Sequence, residues 1–88
     1  MKLPLNLAII KHFTTTDEAC AEDVMVALEK NYANYRMFNR QAIYETLFTA
    51  EINGFIQETR YELVDNDLRV YYHANADAQA TINKYIPN

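Results

Sequence analysis

The sequence predicts an α+β fold in which three helices form a core, followed by a two-stranded antiparallel hairpin and a short C-terminal helix, all in one domain spanning residues 1–88. Three observations lead there. Ile43, Leu47 and Ala50 recur at i, i+4 and i+7, which lays them along one stripe of a helix. Gly54, the one glycine of the chain, follows Asn53 and supplies the left-handed residue that closes that helix. Beyond it the period drops to two, with Phe55, Gln57, Thr59, Tyr61 and Leu63 on one side of a strand and Ile56, Glu58, Arg60, Glu62 and Val64 on the other. Asp65, Asn66 and Asp67 interrupt as turn formers, and residues 68–73 return as a second strand.

Half of the residues are hydrophobic, enough for a globular core and against disorder, but a chain of 88 residues buries a limited share of its surface and gains from a second subunit. Cys20 is alone, so no intrachain disulfide forms and a reducing compartment is expected. No stretch approaches the roughly 20 apolar residues of a membrane span. Residues 3–10 have the apolar length of a signal peptide, yet Asn6 interrupts them and no small-residue cleavage site follows, so the expected location is the cytoplasm.

Taken in order, the first helix begins at Pro4, whose missing N–H has no intrahelical partner to lose in a first turn, and runs to about residue 13. It carries two apolar stripes. Leu3, Leu7 and Ile10 form one; Leu5, Ile9 and His12 form another, roughly opposite. The second stripe is either a dimer contact or the seat of a later helix of the same subunit. Thr15 and Glu18 have capping-box spacing, which places a second helix over residues 17–30 with Cys20, Val24, Ala27 and Leu28 inward; Thr14, Thr15 and Thr16 alternatively supply a short strand beside the hairpin. Residues 31–38 connect to the third helix, with Tyr32, Tyr35 and Phe38 pinning the loop and Arg36 free to approach a phosphate. The final helix is capped by Asn75, carries Ala78, Ile82 and Tyr85, and stops at Pro87.

A helix that stops at a glycine and runs straight into a hairpin is the second half of a winged helix-turn-helix. Tyr44, Leu47, Ala50-Glu51, Gly54-Phe55-Ile56, Arg69 and Tyr71-Tyr72 together resemble the pattern of PadR-like bacterial transcriptional regulators, with kinship to MarR-like and penicillinase-repressor-like proteins. The chain departs from that pattern at Ala50, where the family has leucine, and at its acidic hairpin tip. The resemblance implies a DNA-binding transcriptional regulator whose C-terminal helix carries a dimer contact. Arg36, Asn39, Arg40, Gln41, Tyr44, Arg60 and Arg69 are then the residues expected to face double-stranded DNA: arginine can donate twice to guanine or phosphate, and asparagine and glutamine can serve adenine. Leu5, Ile9 and His12 of the first helix, with Ile82 and Tyr85 of the last, are the expected homodimer contact.

Charge bears against that reading. Twelve acidic residues outnumber eight basic ones for a net −4, and duplex affinity depends on neutralised phosphates. All four arginines nevertheless fall in the loop, third helix and hairpin, while Phe48 and Ile52 put apolar groups on the face DNA would need. The alternative is therefore a winged helix that binds another protein. No catalytic pair, phosphate loop or metal-ligand spacing occurs, so neither enzyme activity nor a cofactor is expected.

Overall fold

In the computed structural model, which describes residues 2–87, the chain runs α1 (Leu5–His12), α2 (Ala21–Tyr32), α3 (Arg40–Ile52), β1 (Gln57–Val64), β2 (Asp67–His73) and α4 (Ala76–Tyr85). This is a winged helix with a three-helix core, a hairpin wing and a short final helix. No helix among the described residues is long and apolar enough to cross a membrane.

Helix α3 follows its sequence pattern closely. Ile43 and Leu47 are fully buried and Ala50 nearly so. At its start the Asn39 side chain accepts from the Ala42 N–H at 2.9 Å. At its end Gly54 adopts φ +83°, the Phe55 N–H donates to the Ala50 carbonyl at 2.9 Å and the Gly54 N–H to that of Glu51 at 3.0 Å, which is the Schellman closure. A β-carbon at Gly54 would meet nothing within 4 Å, so Gly54→Ala isolates the backbone term. It is expected to cost about 1–2 kcal/mol, read as a lowered urea midpoint with an unchanged slope.

Helix α2 starts four residues later than the capping-box spacing at Thr15 and Glu18 predicts. Ala19 is held extended instead, because its N–H donates to the Tyr72 carbonyl at 3.0 Å and its carbonyl accepts from the Tyr72 N–H at 2.9 Å. That single bridge, not the three threonines, ties the segment before α2 to the wing. The hydroxyls of Thr14 and Thr15 donate to the carbonyls of Lys11 and His12 at the end of α1. The cap moves to Cys20, whose N–H donates to the Asp23 carboxylate at 3.2 Å. Cys20 and Val24 are buried as expected, but Ala27 faces solvent; Ala21 and Tyr32 complete the buried stripe. Burial pushes the Cys20 thiol up, away from thiolate chemistry.

Both stripes of α1 are covered within the single chain, because α2, α3 and α4 all pack on it. This corrects the expected dimer contact. Leu5, Ile9 and Ile82 are buried in the chain's own core, and His12 is half-buried, with its imidazole pKa lowered by that burial. Of the five residues, Tyr85 alone stays largely exposed. Lys11 fastens α4 in place by donating to the Asn83 side chain at 2.6 Å and to the Ile86 carbonyl. Asn75 caps α4 through the Ala78 N–H at 2.8 Å.

The wing turns over two residues, Asp65 and Asn66, both at positive φ, the conformation of a type I′ hairpin turn; Asp67 already belongs to β2. Cross-strand partners are Leu63 and Leu68, Tyr61 and Val70, Glu62 and Arg69, and Arg60 and Tyr71. A bulge between Glu58 and Arg60 shifts the expected alternation, so Glu58 rather than Thr59 shares a face with Tyr61 and Leu63. On that same face Tyr72 is 2% exposed and anchors the wing to the core.

Candidate nucleic-acid interface

The first turn of α3 and the wing tip converge on one surface, and the chemistry there is set by who holds the arginines. Arg40 leaves the first turn of α3 half-exposed. Its Nε donates to Glu22 of α2, and one terminal nitrogen donates to both Asp67 oxygens at 3.0 and 2.9 Å. The guanidinium thus bridges α2 to the wing, and these acids, Glu22 first, hold its pKa above the usual arginine value. Gln41 donates to Glu45 one turn on at 2.9 Å. Tyr44 is exposed beside them.

Asn39 has its carboxamide oxygen committed to capping α3, which leaves the amide nitrogen as its free end. Arg36 is exposed and makes no ion pair among the described residues. It stands on the wall of a cleft of about 390 Å³ between α1 and α3, with Leu5, Ile9 and Met37.

Arg60 and Arg69 are elsewhere. Leu68 and Val70 line the pocket that also contains Arg40, Gln41 and Tyr44, so the hairpin face bearing Tyr61, Leu63, Leu68 and Val70 is the one turned to α3. Arg60 and Arg69 belong to the opposite face, with Tyr71 and Glu62. There Arg60 donates to Glu18 at 3.1 Å and to Glu62 at 3.1 Å, with its guanidinium 3.9 Å from the centre of the Tyr71 ring. The Tyr71 hydroxyl donates to Glu62 at 2.9 Å, an acceptor that pushes its pKa up to about 12. Hydrogen bonds from Arg60 and then Thr59 hold the Glu18 carboxyl below its ordinary value. Arg69 is half-buried, and its Nε, withdrawn from solvent, has no hydrogen-bond acceptor among the described residues.

Of the seven residues expected to face DNA, Arg40, Gln41 and Tyr44 are therefore brought together beside the wing tip, with Asn39 capping the same helix; Arg36 lines the separate cleft between α1 and α3, and Arg60 and Arg69 lie on the far face of the hairpin. Of the acids that hold the arginines, Glu18, Glu22 and Asp67 lie 18 to 42 positions away in sequence, where no local spacing marks them, and Glu62 lies two from Arg60. The same surface is also apolar: Phe48 is 54%, Ile52 68%, Tyr61 67%, Leu63 69% and Leu68 52% exposed.

No family model matches the sequence, and no curated protein is significantly similar to it. Among solved structures the chain is similar to Pex from Synechococcus sp. (strain PCC 7942), with a TM-score of 0.60 over 94% of this chain and 79% of that one, at 19% sequence identity. At that identity the likeness carries the fold.

Proposed function

We propose that this chain is a DNA-binding transcriptional regulator of the winged-helix type, working in the cytoplasm as a homodimer and without enzymatic activity. The observation that carries the reading is the presentation of Arg36, Arg40 and Gln41, all exposed, where a loop meets the first turn of a side-chain-capped α3 beside a wing. The first turn of a recognition helix is the part that reaches base edges, and its flanking loop is the part that grips phosphate. The PadR-like resemblance of Tyr44, Leu47, Gly54 and the Tyr71-Tyr72 pair supports it. Net acidity and the ion-paired Arg40 predict weak non-specific affinity, with binding that relies on two copies of the site. The exposed ion pair between Arg40 and Asp67 adds little net stability, so a phosphate can displace Asp67 from Arg40 at small cost to the fold.

The test begins by selecting a binding sequence from random duplex DNA. Arg40→Ala is then expected to weaken binding to the selected duplex by about five- to a hundredfold, and the slope of log affinity against log salt is expected to fall by about one. Binding indifferent both to salt and to this substitution removes the reading.

A second reading is favoured by the exposed Phe48, Ile52, Tyr61, Leu63 and Leu68: a winged helix that docks on another protein through α3 and the wing. On that reading no duplex is selected, while polar replacements of Phe48 and Ile52 abolish capture of the protein partner.

A further inference from the structure

We propose that the outer edge of β1 pairs antiparallel with β1 of a second copy of this chain, with the two-fold axis at Tyr61, so that the two wings join into one four-stranded sheet. This deepens the homodimer reading by naming its surface, and it rests on that reading for stoichiometry while owing nothing to DNA binding. It also fills the gap left when the α1 and α4 contact proved to be internal core.

The first argument is the open edge. Among the described residues the wing is a two-stranded sheet, and β2 is flanked by both β1 and the Ala19 bridge, whereas β1 has β2 as its one strand neighbour. Seven of its eight residues are exposed, and its sequence, QETRYELV, holds neither proline nor lysine, the residues that commonly blunt an edge. An isolated two-stranded sheet is marginal in water, and added strands on a shared apolar face stabilise it.

The second is the direction of the backbone groups. In a two-residue hairpin the residues flanking the turn, here Val64 and Asp67, are the pair that exchanges hydrogen bonds. Alternation from that pair directs the N–H and C=O of Leu63 and Tyr61 outward, toward an incoming strand. Their side chains are 69% and 67% exposed on the apolar face of the wing.

The third is charge, which selects among the registers that this alternation allows. Centring the two-fold on Arg60 opposes Arg60 to itself and Glu58 to Glu62, and centring it on Glu62 opposes two carboxylates. Centring it on Tyr61 places Arg60 opposite Glu62 of the second copy, twice by symmetry, with Tyr61 against Tyr61 and Leu63 against Thr59. Pairing over residues 59–63 takes in the bulged Thr59 at each end and leaves the turn, Asp65 and Asn66, outside the new interface.

The experiment uses the full chain with Cys20 in place, whose burial makes wild type the baseline for oxidative crosslinking. Directly opposed residues lie within disulfide reach, and those displaced along the strands do not. Under mild oxidation Tyr61→Cys is expected to form a covalent dimer at least about tenfold faster than Leu63→Cys. In sedimentation, Arg60→Glu and Glu62→Arg are each expected to weaken dimerisation by about tenfold, and the double substitution to restore it. Equal crosslinking at the two positions, or a dimer insensitive to the single reversals, overturns wing pairing and leaves a homodimer of another geometry. A chain that stays monomeric at all concentrations, with circular dichroism confirming that the variants are folded, overturns both.

Discussion

Tyr72→Ala is expected to remove about 3–5 kcal/mol of stability, the cost of emptying a large aromatic site in a packed core. Tyr72 is the largest of the side chains that are almost wholly buried, and its backbone makes both hydrogen bonds of the Ala19 bridge. The side chain lies on the wing face turned to α3, so one residue joins the hairpin to the helices by ring and by backbone together. A domain of this length has roughly 4–13 kcal/mol in total. The melting temperature should therefore fall on the order of 15–30 °C, followed by calorimetry or circular dichroism. Tyr72→Phe separates ring from hydroxyl. Burial first, then the neighbouring Tyr44, Glu51 and Glu58, raises the hydroxyl pKa well above its ordinary value, so the group stays neutral at any working pH. Losing it alone is expected to cost no more than about 1.5 kcal/mol. If the alanine variant melts within a few degrees of wild type, Tyr72 is not what ties the wing to the core.

The importance of that residue illustrates what could and could not be read from the chain. Helix α3, its closure at Gly54 and the hairpin were legible because each is decided by neighbours: a stripe at Ile43, Leu47 and Ala50, a left-handed residue, and a turn. The start of α2 was not. Asp17 and Glu18 have helix-start chemistry, but Ala19 is drawn into an extended bridge by a strand more than fifty residues downstream, and a tertiary hydrogen-bond pair outweighs a local cap. The second stripe of α1 was legible as apolar but silent about its partner, since a stripe covered by helices of the same chain and one covered by another subunit look alike in one dimension. The bulge at Thr59 changes the phase of β1 without changing its composition. Residue type likewise placed four arginines near the wing but could not show that Arg40 and Arg60 are each held by two carboxylates, or that Arg69 turns its Nε inward.

Those carboxylates supply the second large prediction, which follows from the proposed DNA-binding role. Glu22→Gln combined with Asp67→Asn keeps the shape of both side chains and removes the two charges that hold Arg40. The freed guanidinium then meets a phosphate without first being exchanged from an acid, and two repulsive charges leave the interface. At low salt the double variant is expected to bind duplex DNA about ten- to a hundredfold more tightly than wild type. The gain should shrink as salt rises and screens both the lost repulsion and the new contact. Fold stability should change little at the half-exposed Asp67 and more at Glu22, whose side chain is 24% exposed. Arg40→Ala should cost more in this background than in wild type if Arg40 is the group set free, since the two changes then act through one contact. A double variant whose DNA affinity equals that of wild type across the whole salt range would show that the acids do not guard a nucleic-acid site, and the exposed apolar surface of α3 and the wing would then be the better guide to the partner.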